Sequence, residues 1–540
     1  MSNKTIIDVF VSSCNQFSDQ PAFVCMGHTL TYSELLQYSQ NFAAYLQKNT
    51  QLQPGDRIAI QLPNLLQYPV TIFGALMAGL VVVNTNPLYT PRELKHQLQD
   101  SGAKALVVLA NIATAAEQVI KTTAVESVII TEVADLHPPL KRVVLNWAVK
   151  HIKKMVPDTN FENSTQFLST LRLGQKSEFN PVSINSTDVA VLQYTGGTTG
   201  VSKGAMLTHD NLVANVDQII EHLGDGIDSK GEIYVCPLPI YHIYAFTFHC
   251  LCLLTRGANN ILIPNPRDLP SFVKALKNLK ITGFVGLDTL FKALCNNSDF
   301  LAMDFSRLKI TSSGGMALSS TTAKRWQEVT GCQPNEGYGL TETSPVVSAN
   351  IPGNIVPGSV GLPLPNTEVK TVDLNNDVTA ANEPGELCIR GPQVMLGYWQ
   401  RPDETAKVLD EDGWFRSGDI ATIDESGFIR IVDRKKDMIV VSGFNVYPNE
   451  IDDIAVSHPN IQEAAAVGIP DERAGEAVKL FVVKTDSELT EEEVIQYLRG
   501  QLTGYKVPRV IEFCKELPKS NVGKVLRKEL RNRNSENNNS

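Results

Sequence analysis

The sequence predicts an α/β fold in two parts. The first is a large N-terminal domain of mixed α/β sheets with a β-rich subdomain, and the second is a smaller α+β C-terminal domain. Three observations carry this reading. Short apolar, β-branched runs alternate with stretches of helical period in the first part of the chain. From about Asn354, Gly and Pro become frequent and the apolar runs shorten. Past the charged junction Asp433-Arg434-Lys435-Lys436-Asp437, a separate strand and helix pattern begins. With 540 residues the chain is longer than one hydrophobic core supports.

Taken in order, Arg57–Leu62, Leu80–Asn84, Ala105–Ala110 and Ser127–Thr131 read as strands of a partly parallel sheet. Asp188–Tyr194 reads as another and leads into a Gly/Thr-rich loop. Thr208 then suits a helix N-cap. Leu212, Val213, Val216, Ile219, Ile220 and Leu223 follow at helical spacing, and Gly224 ends the helix. Beyond the junction, Ala464–Ile469 and Val478–Lys484 read as strands and Thr490–Leu502 as a helix. The expected divisions are 1–433, a junction at 434–438, a domain at 439–530 and a polar, disordered tail at 531–540.

Composition narrows the function. A net charge of −10 and a pI near 5.5 argue against nucleic acid as a partner. The nine cysteines form no CxxC pair and read as reduced, buried thiols, so a cytoplasmic protein is expected. The N-terminus lacks a signal-peptide core and no 18-residue apolar run occurs, so any membrane contact is peripheral, on the inner face of the cell membrane. In Val143–Val156, Val144, Trp147, Ala148, Ile152 and Met155 share a helical face, with Lys150, Lys153 and Lys154 mostly off it. Two readings stand: a basic amphipathic helix resting on a bilayer, or a surface helix packed by one face.

The chemistry centres on Tyr194-Thr195-Gly196-Gly197-Thr198-Thr199-Gly200-Val201-Ser202-Lys203-Gly204. Glycines let backbone N–H groups turn toward an anion, hydroxyls add donors, and Lys203 adds charge. A strand before it and a helix after it suit a polyphosphate cradle; the alternative is a flexible surface loop. It is not a Walker A loop, because Gly204 follows the lysine.

This loop resembles the phosphate-binding signature of the adenylate-forming superfamily of acyl-CoA synthetases, adenylation domains and beetle luciferases. Six further stretches resemble the family's motifs in order: Ser313–Leu318, Glu336–Thr343, Trp414–Asp419, Asp433–Asp437, Ser442–Val446 and Leu517–Lys524. Asp412–Asp453 is similar to the fatty acyl-CoA synthetase signature, in particular that of bacterial long-chain-fatty-acid–CoA ligases. The usual proline before the loop lysine is Ser202 here, a change that removes no functional group.

The resemblance implies an ATP- and Mg²⁺-dependent ligase that makes an acyl-adenylate and passes the acyl group to coenzyme A. Thr195, Gly196, Gly197, Thr198, Thr199, Gly200 and Lys203 would hold phosphates, and Thr195 and Glu342 would hold Mg²⁺. Gly315, Met316, Glu336, Gly337, Tyr338 and Thr341 would surround the nucleotide. Asp419 and Arg434 would bind the ribose. Lys524 would approach the α-phosphate, and Lys436 would be the hinge of a mobile C-terminal domain. Ser442, Gly443 and Phe444 would meet CoA. His242, Phe246 and Gly286 belong to the implied acid pocket. Leu238–His249 contains no carboxylate, so it suits an apolar acid better than an amino acid. For His242 a core histidine bonded to backbone is the alternative. Medium-chain or aryl acids remain alternative substrates, a non-catalytic nucleotide-binding module is a remote one, and the resemblance leaves room for a homodimer.

Overall fold

Apolar runs without alternation become strands buried on both faces. Val81–Asn84 and Ala105–Leu109 have no residue open to solvent, as central parallel strands covered by helices require. The computed structural model describes residues 4–195, 202–224, 227, 231–471, 473–519 and 523–537. Gly196, Gly197, Thr198, Thr199 and Gly200 of the expected phosphate cradle lie outside the described residues.

Among the described residues, one eight-stranded sheet runs 397–398, 203–208, 189–195, 81–84, 57–61, 105–109, 127–131, 164–166. Its pairs are parallel from Val189–Thr195 through Ser164–Gln166. Lys203–Thr208 returns antiparallel to Val189–Thr195, placing Thr195 opposite Lys203. A second, nine-stranded sheet contains the parallel neighbours Ile233–Cys236, Gly283–Gly286, Ile310–Ser313 and Pro334–Gly339. Thr195, Gly286, Ser313 and Tyr338 all lie at or near the carboxyl ends of their strands. Open α/β sheets place ligands at such ends.

The β-rich subdomain is a four-stranded antiparallel sheet of 368–372, 385–390, 415–423 and 429–434. The smaller domain starts at Ile439–Val441 and builds a five-stranded sheet on the long pair Ile461–Asp471 and Gly475–Lys484. It has its own apolar core, including Ile451, Val478, Leu480, Val494 and Leu498. Asn449 ties it back to the larger domain, its backbone N–H donating to Asp433 Oδ2 at 2.8 Å.

Two expectations change. Of the tail expected to be disordered from Arg531, the described residues through Asn537 are helical: the last helix spans Arg527–Asn537. Leu530 is buried and Arg531 pairs with Asp437, so the first turns of that helix are anchored. The helix expected at Val143–Val156 begins earlier, at Pro139, and runs to Trp147 before widening into a π-helical turn at Ala148–Ile152. Pro138-Pro139 supplies the start, since proline suits a first helical turn. The helix does not bury its apolar stripe. Leu140, Val143, Val144, Trp147, Ile152 and Met155 are 54–80% exposed. The nine cysteines are free, and eight of them are buried.

One aromatic cluster fixes the strands behind the site. Trp326 is fully buried, with ring centroids 4.4 Å from Phe291, 5.0 Å from Phe284 and 5.6 Å from Phe300. Its indole N–H donates to Thr311 Oγ1 at 3.0 Å. Trp326→Ala should cost about 3–5 kcal/mol through lost burial and a residual cavity. Denaturant unfolding followed by circular dichroism should show the larger domain's transition at lower denaturant; an unmoved transition contradicts this packing role.

Candidate active site where the two domains meet

Antiparallel register sets the first contact. Asp419 on Phe415–Ile423 lies opposite Arg434 on Ile429–Arg434. Arg434 Nε stands 3.1 Å from Asp419 Oδ1. Tyr338, at the end of a parallel strand, donates its hydroxyl to Asp419 Oδ2 at 2.6 Å. The carboxylate is buried yet engaged on both oxygens, which a buried charge requires. Burial and the Asp419 charge hold the Tyr338 phenol well above its ordinary range.

Glu342 sits in the short 3₁₀ turn Thr341–Thr343. Its Oε1 accepts from the Tyr398 hydroxyl at 2.8 Å, and its carbonyl accepts from Met395 N–H at 2.8 Å. Burial pushes its pKa up, against the Tyr398 hydrogen bond and the Arg434 charge. A cavity of about 470 Å³ opens here, lined among others by Glu342, Tyr398, Arg416, Ser417, Gly418 and Lys435.

The smaller domain delivers Lys524. Its neighbour Gly523 has φ +82°, and a Cβ there would lie 3.5 Å from Thr289 Oγ1 and 3.9 Å from Met316 Sδ. The Gly-Lys turn therefore rests on loops of the larger domain. Burial and the Arg434 charge push the Lys524 ammonium down to about 8, with Lys436 adding and Asp419 and Glu342 opposing. Lys524 nevertheless keeps an exposed surface. Burial, then the Lys524 charge, pushes His242 down to about 4, so its imidazole is neutral near pH 7. His242 Nδ1 also accepts a long 3.4 Å contact from Tyr244 N–H. It thus combines the backbone contact of a core histidine with a place beside Lys524.

The cradle's flanks are well defined. Ser202 Oγ donates to the Thr195 carbonyl at 2.6 Å, and His96 Nε2 lies 3.0 Å from the Ser202 carbonyl. Lys203 pairs with Glu404 and lies 5.1 Å from the Tyr398 ring centroid. After Ser313, Gly315 takes φ +88°, a backbone form suited to glycine. Glu336 Oε2 accepts from Leu318 N–H at 3.2 Å, and its pKa is pushed up to about 7, mostly by burial. Gly337 approaches the Ser348 carbonyl so closely that a Cβ would lie 3.2 Å away.

The acid region is tightly packed. Phe246 is fully buried at the start of a π-helical stretch, Phe246–Cys252. Gly286 is buried against Phe291, whose ring a Cβ would meet at 2.5 Å. Its smallness serves that packing as well as any pocket. Ser442, Gly443 and Phe444 stand apart from the Lys524 group. Their hairpin joins Ile439–Val441 to Phe444–Val446, Ser442 N–H donates to the Ala474 carbonyl at 2.7 Å, and Phe444 stacks on Tyr505 with ring centroids 4.9 Å apart.

Sequence reasoning missed Tyr398, Glu404 and Glu386. Glu386 Oε2 bridges Arg416 at 3.0 Å and Lys435 at 2.9 Å. Their partners lie 49 to 201 residues away wherever Lys435 or Lys203 is concerned, so no local spacing reveals them.

Fold and site together define a two-domain enzyme of the adenylate-forming class. The AMP-binding enzyme family matches residues 10–399 and its C-terminal domain matches residues 450–524, so the chain belongs to the AMP-binding enzyme family. It is 52% identical to a long-chain-fatty-acid–CoA ligase of Escherichia coli O157:H7, covering 98% of this chain and 94% of that one. It is 38% identical to a ligase of the same description from Bacillus subtilis, covering 99% and 96%. Among solved structures, ATP-bound MatB from Rhodopseudomonas palustris superposes with a TM-score of 0.81 at 27% identity, covering 98% and 99% of the two chains.

The environment of Lys524 makes its amine titrate near 8. Its labelling by an amine-acylating reagent should therefore rise through pH 8, more than two units below an ordinary lysine at about 10.4. A labelling profile like that of surface lysines would contradict the geometry.

Proposed function

We propose that this protein activates a long-chain fatty acid with ATP and transfers it to coenzyme A, giving acyl-CoA, AMP and pyrophosphate. The observation that carries this reading is the Asp419 carboxylate held by Tyr338 and Arg434, with Glu342 held by Tyr398 and the Gly523-Lys524 turn seated against Thr289 and Met316. The likeness to the two ligases above adds the acid and the thiol.

Both reactants of the first step are anions, so catalysis needs charge neutralisation and alignment. Protonated Lys524 would sit between the carboxylate and the α-phosphate. Asp419 would accept from ribose hydroxyls, held in place by Tyr338, with Arg434 reaching the same sugar. Carboxylate oxygen attacks the α-phosphorus and the pyrophosphate oxygen leaves. Mg²⁺, when bound, would neutralise phosphate charge. Glu342 and Thr195 offer the hard oxygen donors that suit it, and a Mg²⁺ held with ATP takes few protein ligands. Tyr398 fixes the Glu342 carboxylate through Oε1.

In the second step the CoA sulfur attacks the acyl carbon and AMP departs, without an enzyme-bound acyl intermediate. Ser442, Gly443 and Phe444 would enter the site by rotation of the smaller domain about Lys436 as Lys524 withdraws. In the acid region, His242 and Phe246 would border the alkyl chain.

The test is pyrophosphate release with acids of graded chain length, with and without CoA. Long-chain acids should support release best. Lys524→Ala should lower adenylation by about 10²–10³-fold and leave much of ATP binding in place. Release indifferent to any fatty acid would overturn the reading. A preference for aryl or medium-chain acids would redirect it to that alternative.

A peripheral bilayer contact is the second part of the proposal. The exposed stripe of the helix at Pro139–Trp147 and its π-helical extension supports it. Residues 138–157 contain Lys141, Arg142, Lys150, Lys153 and Lys154 and no acid, within a chain of net charge −10. No described helix is long and apolar enough to cross a membrane. Changing Lys150, Lys153 and Lys154 together to Glu should sharply reduce sedimentation with anionic vesicles. Unchanged sedimentation would remove these lysines from the contact.

A further inference from the structure

Below the exposed stripe lies a second cavity, of about 310 Å³, remote in sequence from every residue of the adenylation chemistry. Its walls carry both signs of charge: Arg142 and Lys150 on the helix and its π-helical extension, and Glu132 and Asp135 on the segment after strand Ser127–Thr131. Trp147 lines it from the stripe, its ring tilted against that of His151 with centroids 5.8 Å apart. Glu132, Arg142 and Lys150 enter no ion pair among the described residues. Asp135 Oδ2 is occupied, accepting from Thr131 Oγ1 at 2.8 Å and Glu132 N–H at 2.9 Å. Its Oδ1 has one long 3.4 Å contact, from Asn146 Nδ2. Glu132 without a paired cation and Lys150 without a paired acid thus share one small cavity, while the Arg142 charge acts on Asp135 without forming an ion pair with it.

We infer that this cavity binds the phosphoethanolamine headgroup of a bilayer lipid, with the phosphate on Arg142 and Lys150 and the primary ammonium on Glu132 and Asp135. The inference rests on the bilayer contact proposed above and adds a lipid preference to it. An anionic lipid alone would satisfy the cations and leave Glu132 facing like charge. A choline headgroup has no N–H to give the carboxylates, whereas a primary ammonium gives three. The place is apt as well. Val143 and Trp147 belong both to the cavity wall and to the exposed stripe, so a lipid seated here continues its chains along apolar surface. A cavity of this volume lies at the small end of ligand sites, which fits a headgroup and not an acyl chain.

The experiment is flotation of the full-length protein with two sets of vesicles. Both contain phosphatidylcholine and the same fraction of phosphatidylglycerol; in one, part of the phosphatidylcholine is replaced by phosphatidylethanolamine. Wild-type protein should bind the phosphatidylethanolamine vesicles about tenfold more tightly, as one well-formed charge-assisted contact allows. Glu132→Gln keeps the shape and removes the charge, and should erase this preference while leaving binding to phosphatidylglycerol intact. Soluble glycerophosphoethanolamine, and not glycerophosphocholine, should compete with wild-type binding. Equal binding to both vesicle sets, or a preference kept by Glu132→Gln, would overturn the headgroup assignment and leave the bilayer contact standing. Binding to neither set would overturn both. Acyl-CoA synthesis in detergent should be unchanged in Glu132→Gln; its loss would mean that the substitution disturbs the fold and would require Arg142→Gln to show the same erased preference, failing which the assignment falls.

Discussion

The site depends on one buried carboxylate. Asp419 joins a parallel strand, through Tyr338 near its end, to the antiparallel pair formed by its own strand and the strand that ends in Arg434. An isolated buried charge is very costly, so its two partners are obligatory. Their presence fixes the nine-stranded sheet against the β-rich subdomain. It also fixes where a neighbouring cation can sit, and Lys524 arrives within its field. Removing a partner would leave a charge uncompensated and would move the surfaces on which the smaller domain rests.

Much of the fold was legible because burial imposes simple periods. Continuous apolar runs such as Val81–Asn84 can only be central strands, and they are. Thr208 and Gly224 bracket their helix as capping chemistry requires, Thr208 Oγ1 accepting from Asn211 N–H. The last helix was not legible. Its residues are polar except for Leu530, and what orders its start is tertiary: Leu530 in a small core and Arg531 on Asp437. Propensity does not encode such contacts.

The site divides in the same way. Motifs named the groups proposed to touch a substrate, because those groups cluster within short stretches. The groups that hold them, Tyr398 behind Glu342, Glu404 on Lys203 and Glu386 across Arg416 and Lys435, come from distant strands and loops. A carboxylate in an ordinary surface-like context gives no sign that two cations share one of its oxygens. The apolar stripe at Pro139–Trp147 shows the opposite case: its periodicity was plain, but only the tertiary structure shows that it stands exposed among the described residues.

The Asp419↔Arg434 pair is the last rung of its ladder, and the junction begins at the next residue. Lys435 donates its backbone N–H to the Gly418 carbonyl at 2.9 Å, while the carbonyl of Lys436 accepts from Arg531. One peptide bond therefore separates a partner held by the larger domain from one held by the smaller. In the proposed rotation the pivot would thus adjoin the proposed nucleotide cleft, so whatever filled that cleft would press directly on the axle of the swing, with no long relay through the protein.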